Sequence, residues 1–264
     1  MGKKRFLVGL LFLIGLLFSQ TFAAETVELK VGASPTPHAG ILEAIKPMLA
    51  AEGIQLRIIE FQDYVQPNLA LAEGELDANF FQHVPYLEQF AEDHRLELTY
   101  IAKVHIEPMG IYSKKITKLE QLRNRAVVAV PNDPTNCGRA LMLLEQANLI
   151  ELRDGVGLLA TEFDIVKNPK KIQVKALEAA QLPRILPEVD LAVINTNYAL
   201  PAGLVPNRDA LFIEGAESPY ANVLAVRTAD QNKPALQKLA KALNSPEIKA
   251  YLLENFSGDI VPAF

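Results

Sequence analysis

Segments of strand character alternate with segments of helix character along most of this chain, and that order limits the folds it can adopt. "VELKVGAS" (27–34) is largely apolar and ends in small residues, which is typical of a buried strand. "PHAGILEAIKPMLAAEGI" (37–54) carries apolar residues at helical spacing until Gly53 stops it. "LRIIEF" and "VQPNLALAEG" repeat the pair. A βαβα order predicts an α/β fold with mostly parallel sheets covered by helices.

One short pattern occurs twice in the chain. "EGELDANFF" (73–81) and "LPEVDLAVIN" (186–195) each place an acidic residue two positions before an Asp, and a short apolar strand follows. The two copies predict two lobes of similar design. Because α/β folds usually bind ligands outside the carboxyl ends of their strands, we expect both strands to open onto one shared cleft.

The chain is expected to pass between the lobes twice. In the first passage, "MGIYSKKITKLEQLRNRAVVAVPND" (109–133), the pattern predicts a strand through Ile111, a helix around 119–122 and a strand at 126–130. "SPYANVLAVR" (218–227) would form the return passage.

These passages divide the chain into two predicted lobes. Residues 24–112 and 224–264 would form lobe 1, and residues 113–223 would form lobe 2, with hinge segments near 110–114 and 222–226. The amphipathic stretch "KPALQKLAKALNSPEIKAYLLENF" near the C-terminus is expected to pack on lobe 1.

The N-terminus has the pattern of a cleavable export signal. Basic residues at 3–5 precede an apolar run at 6–18, and Ala23 supplies a small residue before a cut. The run is shorter than the ~20 residues that a membrane-spanning helix needs. We therefore expect residues 1–23 to be removed and the mature protein to be periplasmic. A lipid anchor is not expected, because the single cysteine, Cys137, lies far from the cut.

Composition narrows the possible partners. Half of the residues are apolar, so a substantial core can form. The formal net charge is -5 at pH 7, and no block of Lys or Arg follows the signal. A nucleic-acid partner is therefore not expected.

The segment "PNDPTNCGRALMLL" (131–144) combines a helix start with one arginine. Asp133 suits an N-cap and Pro134 suits the first helical position, so a helix should begin near Pro134. The free amide groups at such a helix start favour an anion. Arg139 can reach the same place and bind a carboxylate through two parallel hydrogen bonds. A surface ion pair, the commoner role for a helix arginine, remains the alternative.

A second candidate segment is "DANFFQHVPYLEQF" (77–90), in which a strand ends in aromatic residues. Phe81 could line an apolar pocket at the strand mouth, and His83 could add a polar contact. Adjacent phenylalanines in a strand are usually core residues, and a histidine before a proline can simply cap the next helix. The pattern leaves both interpretations open.

No motif in the chain predicts a metal, a cofactor or catalysis. The four histidines are widely separated, and the sequence lacks zinc-ligand spacings, a GxSxG elbow and phosphate-binding glycine loops. "HIEP" (105–108) is too short to predict a metal site.

Five longer motifs stand in one order along nearly the whole mature chain: "DANFFQHVPYL", "VPNDPTNCGRALMLL", "DGVGLL", "AVINTNYA" and "ESPYAN". They resemble the NlpA lipoprotein family, the binding proteins of methionine ABC importers. The resemblance implies a two-lobed periplasmic-binding-protein fold of type II, hinged by two crossover strands. Such a protein closes on a free amino acid and delivers it to a membrane permease driven by an ATPase.

The resemblance also implies a ligand site. The family's ligand contacts fall here on Tyr64, Phe81, His83, Asn136, Arg139, Asn195 and Asn222. By this resemblance Arg139 binds the α-carboxylate, asparagine oxygens accept from the α-ammonium, and Tyr64 and Phe81 enclose the side chain. Aromatic walls suit a thioether, since a sulfur–aromatic contact contributes ~0.3–1.5 kcal/mol. L-methionine is the expected ligand, while D-methionine and a methionine dipeptide remain open.

Two other functions remain open. An enzyme of the same two-lobed shape, acting on a small anionic metabolite, would need a general base, and His83 is the candidate. A metal-capturing binding protein is the other, although the sequence shows few grouped ligands.

Overall fold

The computed structural model describes residues 26–215 and 218–264, so the predicted signal at 1–23 lies outside the described residues. No helix in these ranges is long and apolar enough to cross a membrane. The strands are β1 Val27–Ala33, β2 Ile54–Glu60, β3 Ala78–His83, β4 Leu98–Ile106, β5 Gly110–Tyr112, β6 Val127–Pro131, β7 Glu151–Leu152, β8 Ile165–Lys167, β9 Gln173–Leu177, β10 Leu191–Ile194, β11 Phe212–Ile213, β12 Ala221–Arg227 and β13 Val261–Pro262. The α-helices are α1 Gly40–Ala51, α2 Gln66–Ala72, α3 Val84–His94, α4 Pro134–Gln146, α5 Leu182–Ile185, α6 Thr196–Ala199, α7 Pro206–Asp209, α8 Pro234–Leu243 and α9 Pro246–Phe256.

Local sequence explains where several elements begin and end. The strand and helix predicted at 27–34 and 37–54 are confirmed as β1 and α1, and Gly53 has the positive φ of 75° that a turn after a helix favours. The Asp133 carboxylate accepts from the Asn136 amide at 2.9 Å, so the predicted N-cap of α4 is confirmed. The helix predicted around 119–122 is only a 3₁₀ turn. The Gln121 carboxamide closes that turn by accepting from the backbone amide of Thr117 at 2.9 Å.

Two mixed sheets form the framework. The first has the strand order β13-β4-β12-β3-β1-β2, and the second has the order β11-β5-β10-β6-β9. In the first, β3 pairs in parallel with β1 and antiparallel with β12. In the second, β10 pairs in parallel with β6 and antiparallel with β5. The two copies of the repeated pattern therefore occupy equivalent places, and the two-lobed α/β fold is confirmed.

The expectation of mostly parallel sheets is wrong. β12 runs antiparallel to β3 and β4, and β5 runs antiparallel to β10 and β11. Both strands enter their sheet directly from the other sheet. They start at the end where the parallel strands finish, and so they must run in the opposite direction.

The crossings between the sheets lie earlier in the chain than expected. β5 already belongs to the second sheet and β12 to the first, so the chain crosses at 107–109 and again between β11 and β12. The predicted boundary after 112 falls at the end of β5, and the one after 223 falls inside β12. An extended crossing and a short buried strand are both apolar, and the sequence pattern does not separate them.

The C-terminal helices complete the first lobe, as predicted. Leu239 and Leu243 of α8 and Leu252 of α9 join the core that also holds Ile41 and Ile45 of α1. This packing fixes the first sheet as a rigid support for the residues at the ends of its strands.

Candidate functional site

A cavity lies where the carboxyl ends of β3 and β10 face each other. Phe81 and His83 reach it from the end of β3, and Asn195 reaches it directly after β10. The space between atoms there is about 330 Å³, including open solvent at the mouth of the cavity. The prediction that both copies of the repeated pattern open onto one cleft is confirmed.

All the residues that the resemblance singled out line this cavity: Tyr64, Phe81, His83, Asn136, Arg139, Asn195 and Asn222. The sequence interpretation missed the others that line it, which are Gln82, Tyr86, Glu107, Thr196 and Asn197. Glu107 matters most because it brings a charge. It belongs to "HIEP", which we had considered only as a metal motif, and it lies where the chain crosses between the sheets.

Arg139 lines the cavity and contacts Glu214 and Tyr220, and we call these three residues the arginine end. Nε and Nη2 of Arg139 donate to the Glu214 carboxylate at 3.1 and 2.5 Å, and the Tyr220 ring centre lies 4.1 Å from the guanidinium carbon. The Arg139 side chain is only 3% exposed, so this is a buried ion pair and not the surface pair considered as an alternative. Glu214 occupies the two-point edge that we had assigned to a ligand carboxylate. Nη1 has no hydrogen-bond partner in residues 26–215 and 218–264.

The two residues before Arg139, Cys137 and Gly138, allow α4 to pack closely on the segment around Leu158. A Cβ at Gly138 would lie 2.1 Å from the Leu158 carbonyl oxygen, so only glycine permits this close approach. Cys137 is buried, and burial raises the pKa of its thiol to about 11. A thiol in that state is a poor nucleophile, which fits a packing role.

His83 joins the two lobes through Asn136. Its Nδ1 accepts from the Tyr86 amide at 3.1 Å and caps α3, and its Nε2 donates to Asn136 Oδ1 at 3.1 Å. Asn136 Oδ1 also accepts from Asn195 Nδ2 at 2.8 Å. Burial, with the nearby Arg139 charge, lowers the pKa of His83 to about 3. His83 is therefore neutral at physiological pH, and both of its ring nitrogens are engaged.

Aromatic side chains form the opposite wall. The Tyr64 ring centre lies 5.9 Å from that of Phe81 and 5.7 Å from that of Tyr86. Phe81 is 3% exposed and also belongs to a small core cluster with Phe90. The two interpretations of Phe81, pocket wall and core residue, therefore describe the same side chain.

Two polar atoms beside the cavity are buried without a partner. Among the described residues, Asn195 Oδ1 and Asn197 Nδ2 make no hydrogen bond. One is an acceptor and the other a donor, and each unsatisfied group costs ~1–3 kcal/mol. A small ligand with both hydrogen-bonding functions would satisfy them.

Glu107, His38 and His105 form a third group, which we call the histidine end. His105 Nε2 donates to Glu107 Oε1 at 2.8 Å, and His38 Nε2 lies 3.3 Å from the same oxygen. His38 Nε2 also donates to Asn222 Oδ1 at 3.0 Å. Burial lowers the pKa of His38 to about 4 and that of His105 to about 3, and it raises the pKa of the Glu107 carboxyl group. Histidines that are far apart in sequence thus meet one carboxylate at the edge of the cavity.

The histidine end is also a group of three potential metal ligands. One ligand atom from each of its residues lies within 4.8 Å of the others. Sequence spacing could not reveal this group, because His38, just before α1, and His105, in β4, come together only in the folded chain.

The chain matches known proteins over nearly its whole mature length. Residues 29–264 match the family described as NlpA lipoprotein. A relative from Escherichia coli (strain K12), "D-methionine-binding lipoprotein MetQ", is 44% identical over 211 residues, which cover 79% of this chain and 78% of the relative.

Two solved structures share the fold. One is an ABC transporter periplasmic substrate-binding protein from Coxiella burnetii, 49% identical with a TM-score of 0.85, covering 89% of this chain and 100% of the other. The second is a nutrient binding protein from Burkholderia cenocepacia bound to methionine, 45% identical with a TM-score of 0.87, covering 89% of this chain and 100% of the other. The predicted fold class is therefore confirmed.

Proposed function

Because this chain belongs to the NlpA lipoprotein family, we propose that it is a substrate-binding protein that captures methionine between its two lobes and delivers it to an ABC importer. The observation that carries this proposal is the convergence of the seven residues on one cavity. The Burkholderia cenocepacia structure with bound methionine supports the choice of ligand.

The proposed binding mode uses three parts of the cavity wall. The ligand carboxylate binds the Nη1 edge of Arg139. The Asn195 and Asn222 oxygens accept from the ammonium group, and Tyr64 and Phe81 enclose the thioether. L-methionine is the proposed ligand, and D-methionine is the competitor to test because relatives are named for D-methionine.

The lobes would open and close about the crossings at 107–109 and between β11 and β12. Hydrogen bonds between the lobes include those that Tyr64 Oη donates to Asn197 Oδ1 at 2.6 Å and Tyr198 Oη donates to the Gln62 carbonyl at 3.1 Å, and the bond between His83 and Asn136. Opening exchanges these bonds for bonds to water. Ligand release would then be coupled to docking on the permease, whose partner subunit is the ATPase.

The proposed location is the periplasm, reached by export. Similar proteins are named lipoproteins, so the comparisons give no support to the expectation that a lipid anchor is absent.

His83 is a poor candidate for the base of an enzyme. Its Nδ1 lone pair accepts from the Tyr86 amide, and its pKa of about 3 leaves it little affinity for a proton at neutral pH. This geometry favours binding over catalysis.

Calorimetric titration of ligand-stripped protein tests the proposal. L-methionine should bind with a stoichiometry of about one, while methionine amide, which lacks the anionic carboxylate, should bind at least about a hundredfold more weakly. D-methionine is titrated alongside, and the two affinities show which enantiomer binds more tightly. Absence of methionine binding, or equal affinities for methionine and its amide, would reject the proposal.

A further inference from the structure

We propose that Glu107 is the counter-charge for the ammonium group of the bound ligand, and that His105 positions its carboxylate; the inference rests on the proposed function of the cavity. Glu107 lines the cavity, and its side chain is 7% exposed. It would thus add a charged partner to the asparagine oxygens, which offer only dipoles.

The balance of charges around the cavity favours this role. Arg139 is paired with Glu214, and the imidazoles of His38 and His105 are neutral at physiological pH. Within the described ranges, no Lys or Arg forms an ion pair with the Glu107 carboxylate. A buried carboxylate without a cation is unfavourable, and a ligand ammonium would neutralise it.

The hydrogen bonds at the histidine end fix both imidazole tautomers. With the Glu107 carboxyl group ionised, His105 Nε2 faces an acceptor, Oε1, so it carries the ring proton. His38 Nε2 lies near two acceptors, Asn222 Oδ1 and Glu107 Oε1, so it carries its proton too. His38 Nδ1 can then accept from Ser34 Oγ at 3.2 Å. One side of the carboxylate is thereby held by a neutral donor without its charge being cancelled.

The position of Glu107 fits an α-amino acid in particular. Its backbone oxygen accepts from Arg139 Nη2 at 2.8 Å, so the guanidinium and this residue are direct neighbours. An α-amino acid carries its carboxylate and ammonium groups on one carbon. Its two counter-charges must therefore be close together, which the contact between Arg139 and the Glu107 backbone permits.

A metal ion bound by His38, His105 and Glu107 is the rival interpretation, since two histidines and a glutamate are a known zinc ligand set. If the Nε2 atoms of both histidines bound a metal ion, the ring proton of each histidine would have to move to Nδ1. For His105 that nitrogen is buried and has no hydrogen-bond partner in the described part of the chain. The proton would then face no acceptor, which disfavours a metal.

The test compares L-methionine with 4-(methylsulfanyl)butanoic acid, which has the same carbon chain and carboxylate but no amine. Both are titrated into the ligand-stripped full chain. The wild type should prefer methionine by about a hundredfold or more. Glu107→Gln should lose most of that preference, because methionine binds more weakly while the acid does not. An unchanged preference in Glu107→Gln would overturn the inference.

A second pair of variants tests the positioning role of His105. His105→Gln keeps an N–H donor near the Nε2 position and should keep most of the preference, whereas His105→Leu should reduce it by about tenfold. Equal preferences in these two variants would overturn the role of His105. If thermal melting shows that Glu107→Gln does not fold, this pair of variants serves as the test instead. Glu60→Gln, at the exposed end of β2, is the matched control and should match the wild type.

The outcomes separate the two claims. A wild type that does not bind methionine rejects the proposed function, and the inference with it. A wild type that binds methionine beside a Glu107→Gln variant with the same preference rejects the inference alone. Titration with zinc chloride in the absence of amino acid tests the rival: zinc binding that Glu107→Gln and His105→Leu both abolish, together with an unchanged methionine preference, would replace the inference by a metal site.

Discussion

The arginine end and the histidine end of the cavity differ in how their charged groups are paired. At the arginine end, the chain pairs the Arg139 cation with the Glu214 carboxylate, and Nη1 makes no hydrogen bond with the described residues. At the histidine end, the Glu107 carboxylate is surrounded by neutral imidazoles. The first end offers a cation whose charge Glu214 partly offsets, and the second offers a carboxyl group whose pKa burial raises and which forms no ion pair with a Lys or Arg of the described residues.

This difference bears on which ligands the cavity can select. A ligand carboxylate at Arg139 must share the guanidinium with Glu214, whereas a ligand ammonium at Glu107 would displace no Lys or Arg ion pair of the described residues. We therefore expect the ammonium group to matter about as much for recognition as the carboxylate. The following predictions test the two ends in order of decreasing effect.

Removing the guanidinium should have the largest effect on binding. Arg139→Ala leaves the ligand carboxylate and Glu214 without a partner, and we expect methionine binding to weaken by ~3–5 kcal/mol, or hundreds-fold and more. Arg139→Lys should recover only part of this, because an ammonium cannot reproduce the planar geometry. Calorimetry on stripped protein measures both. The matched control is Arg208→Ala, in an exposed pair with Asp209, and it should change nothing in binding.

If Arg139→Ala bound methionine as tightly as the control does, Arg139 would serve only to hold Glu214. The ligand carboxylate would then have to be placed elsewhere in the cavity.

Acid should destabilise the fold through the histidine end and His83. In the unfolded chain these histidines take up protons below pH 6.5, while in the folded protein the pKa is about 4 for His38 and about 3 for His83 and His105. Their contribution is thus complete above pH 6.5 and is lost as the pH falls towards 4, by on the order of 3 kcal/mol for each fully buried histidine. The raised pKa of Glu107 acts in the opposite direction and reduces the net loss.

Urea unfolding between pH 7.5 and 4 measures this dependence. His105→Gln should flatten the curve, because it removes one of the buried histidines. A free energy of unfolding that stays constant over the whole range would contradict the neutral, buried state of these side chains.

Shortening the aromatic wall should weaken side-chain recognition. Phe81→Ala removes apolar area and a sulfur contact, and we expect a loss of about 2 kcal/mol, or ~30-fold, in methionine affinity. Alanine, whose side chain does not reach the wall, should bind the variant and the wild type equally. Because Phe81 is also a core residue, thermal unfolding is measured in parallel. Unfolding without a separable loss of binding would make Phe81 core only.

Neutralising Glu214 should have the smallest effect, with the opposite sign. Glu214→Gln keeps an oxygen that accepts from Arg139 but removes the negative charge that shares the guanidinium with the ligand. Methionine should bind about three- to tenfold more tightly, a change of ~1 kcal/mol. A large loss of affinity would instead show that Glu214 is needed to orient Arg139.

The sequence predicted local elements and the general fold well, because these follow from patterns within the chain. The N-cap at Asp133 could be inferred from the residues next to it. The equivalence of β3 and β10 could be inferred from the two copies of one short pattern. The strand directions at the crossings could not, since they depend on where β5 and β12 enter their sheets.

The residues of the cavity were also only partly predictable from the sequence. Its seven predicted residues came from the resemblance and not from periodicity. Glu214 and Glu107 were missed because their roles depend on contacts across 75 and 32 positions with Arg139. The role of a carboxylate beside an arginine or a histidine can be recognised only once the fold has brought the partners together.

The most direct test of the account is to let the protein choose its ligand. Stripped wild-type protein is incubated with an equimolar mixture of the common amino acids and D-methionine, passed through a desalting column and denatured, and the retained molecule is identified by mass spectrometry and chiral chromatography. The account predicts that methionine is retained at about one molecule per chain by the wild type and by Arg208→Ala, and that Arg139→Ala retains almost none. Retention of a different amino acid, or of none by the wild type, would contradict it.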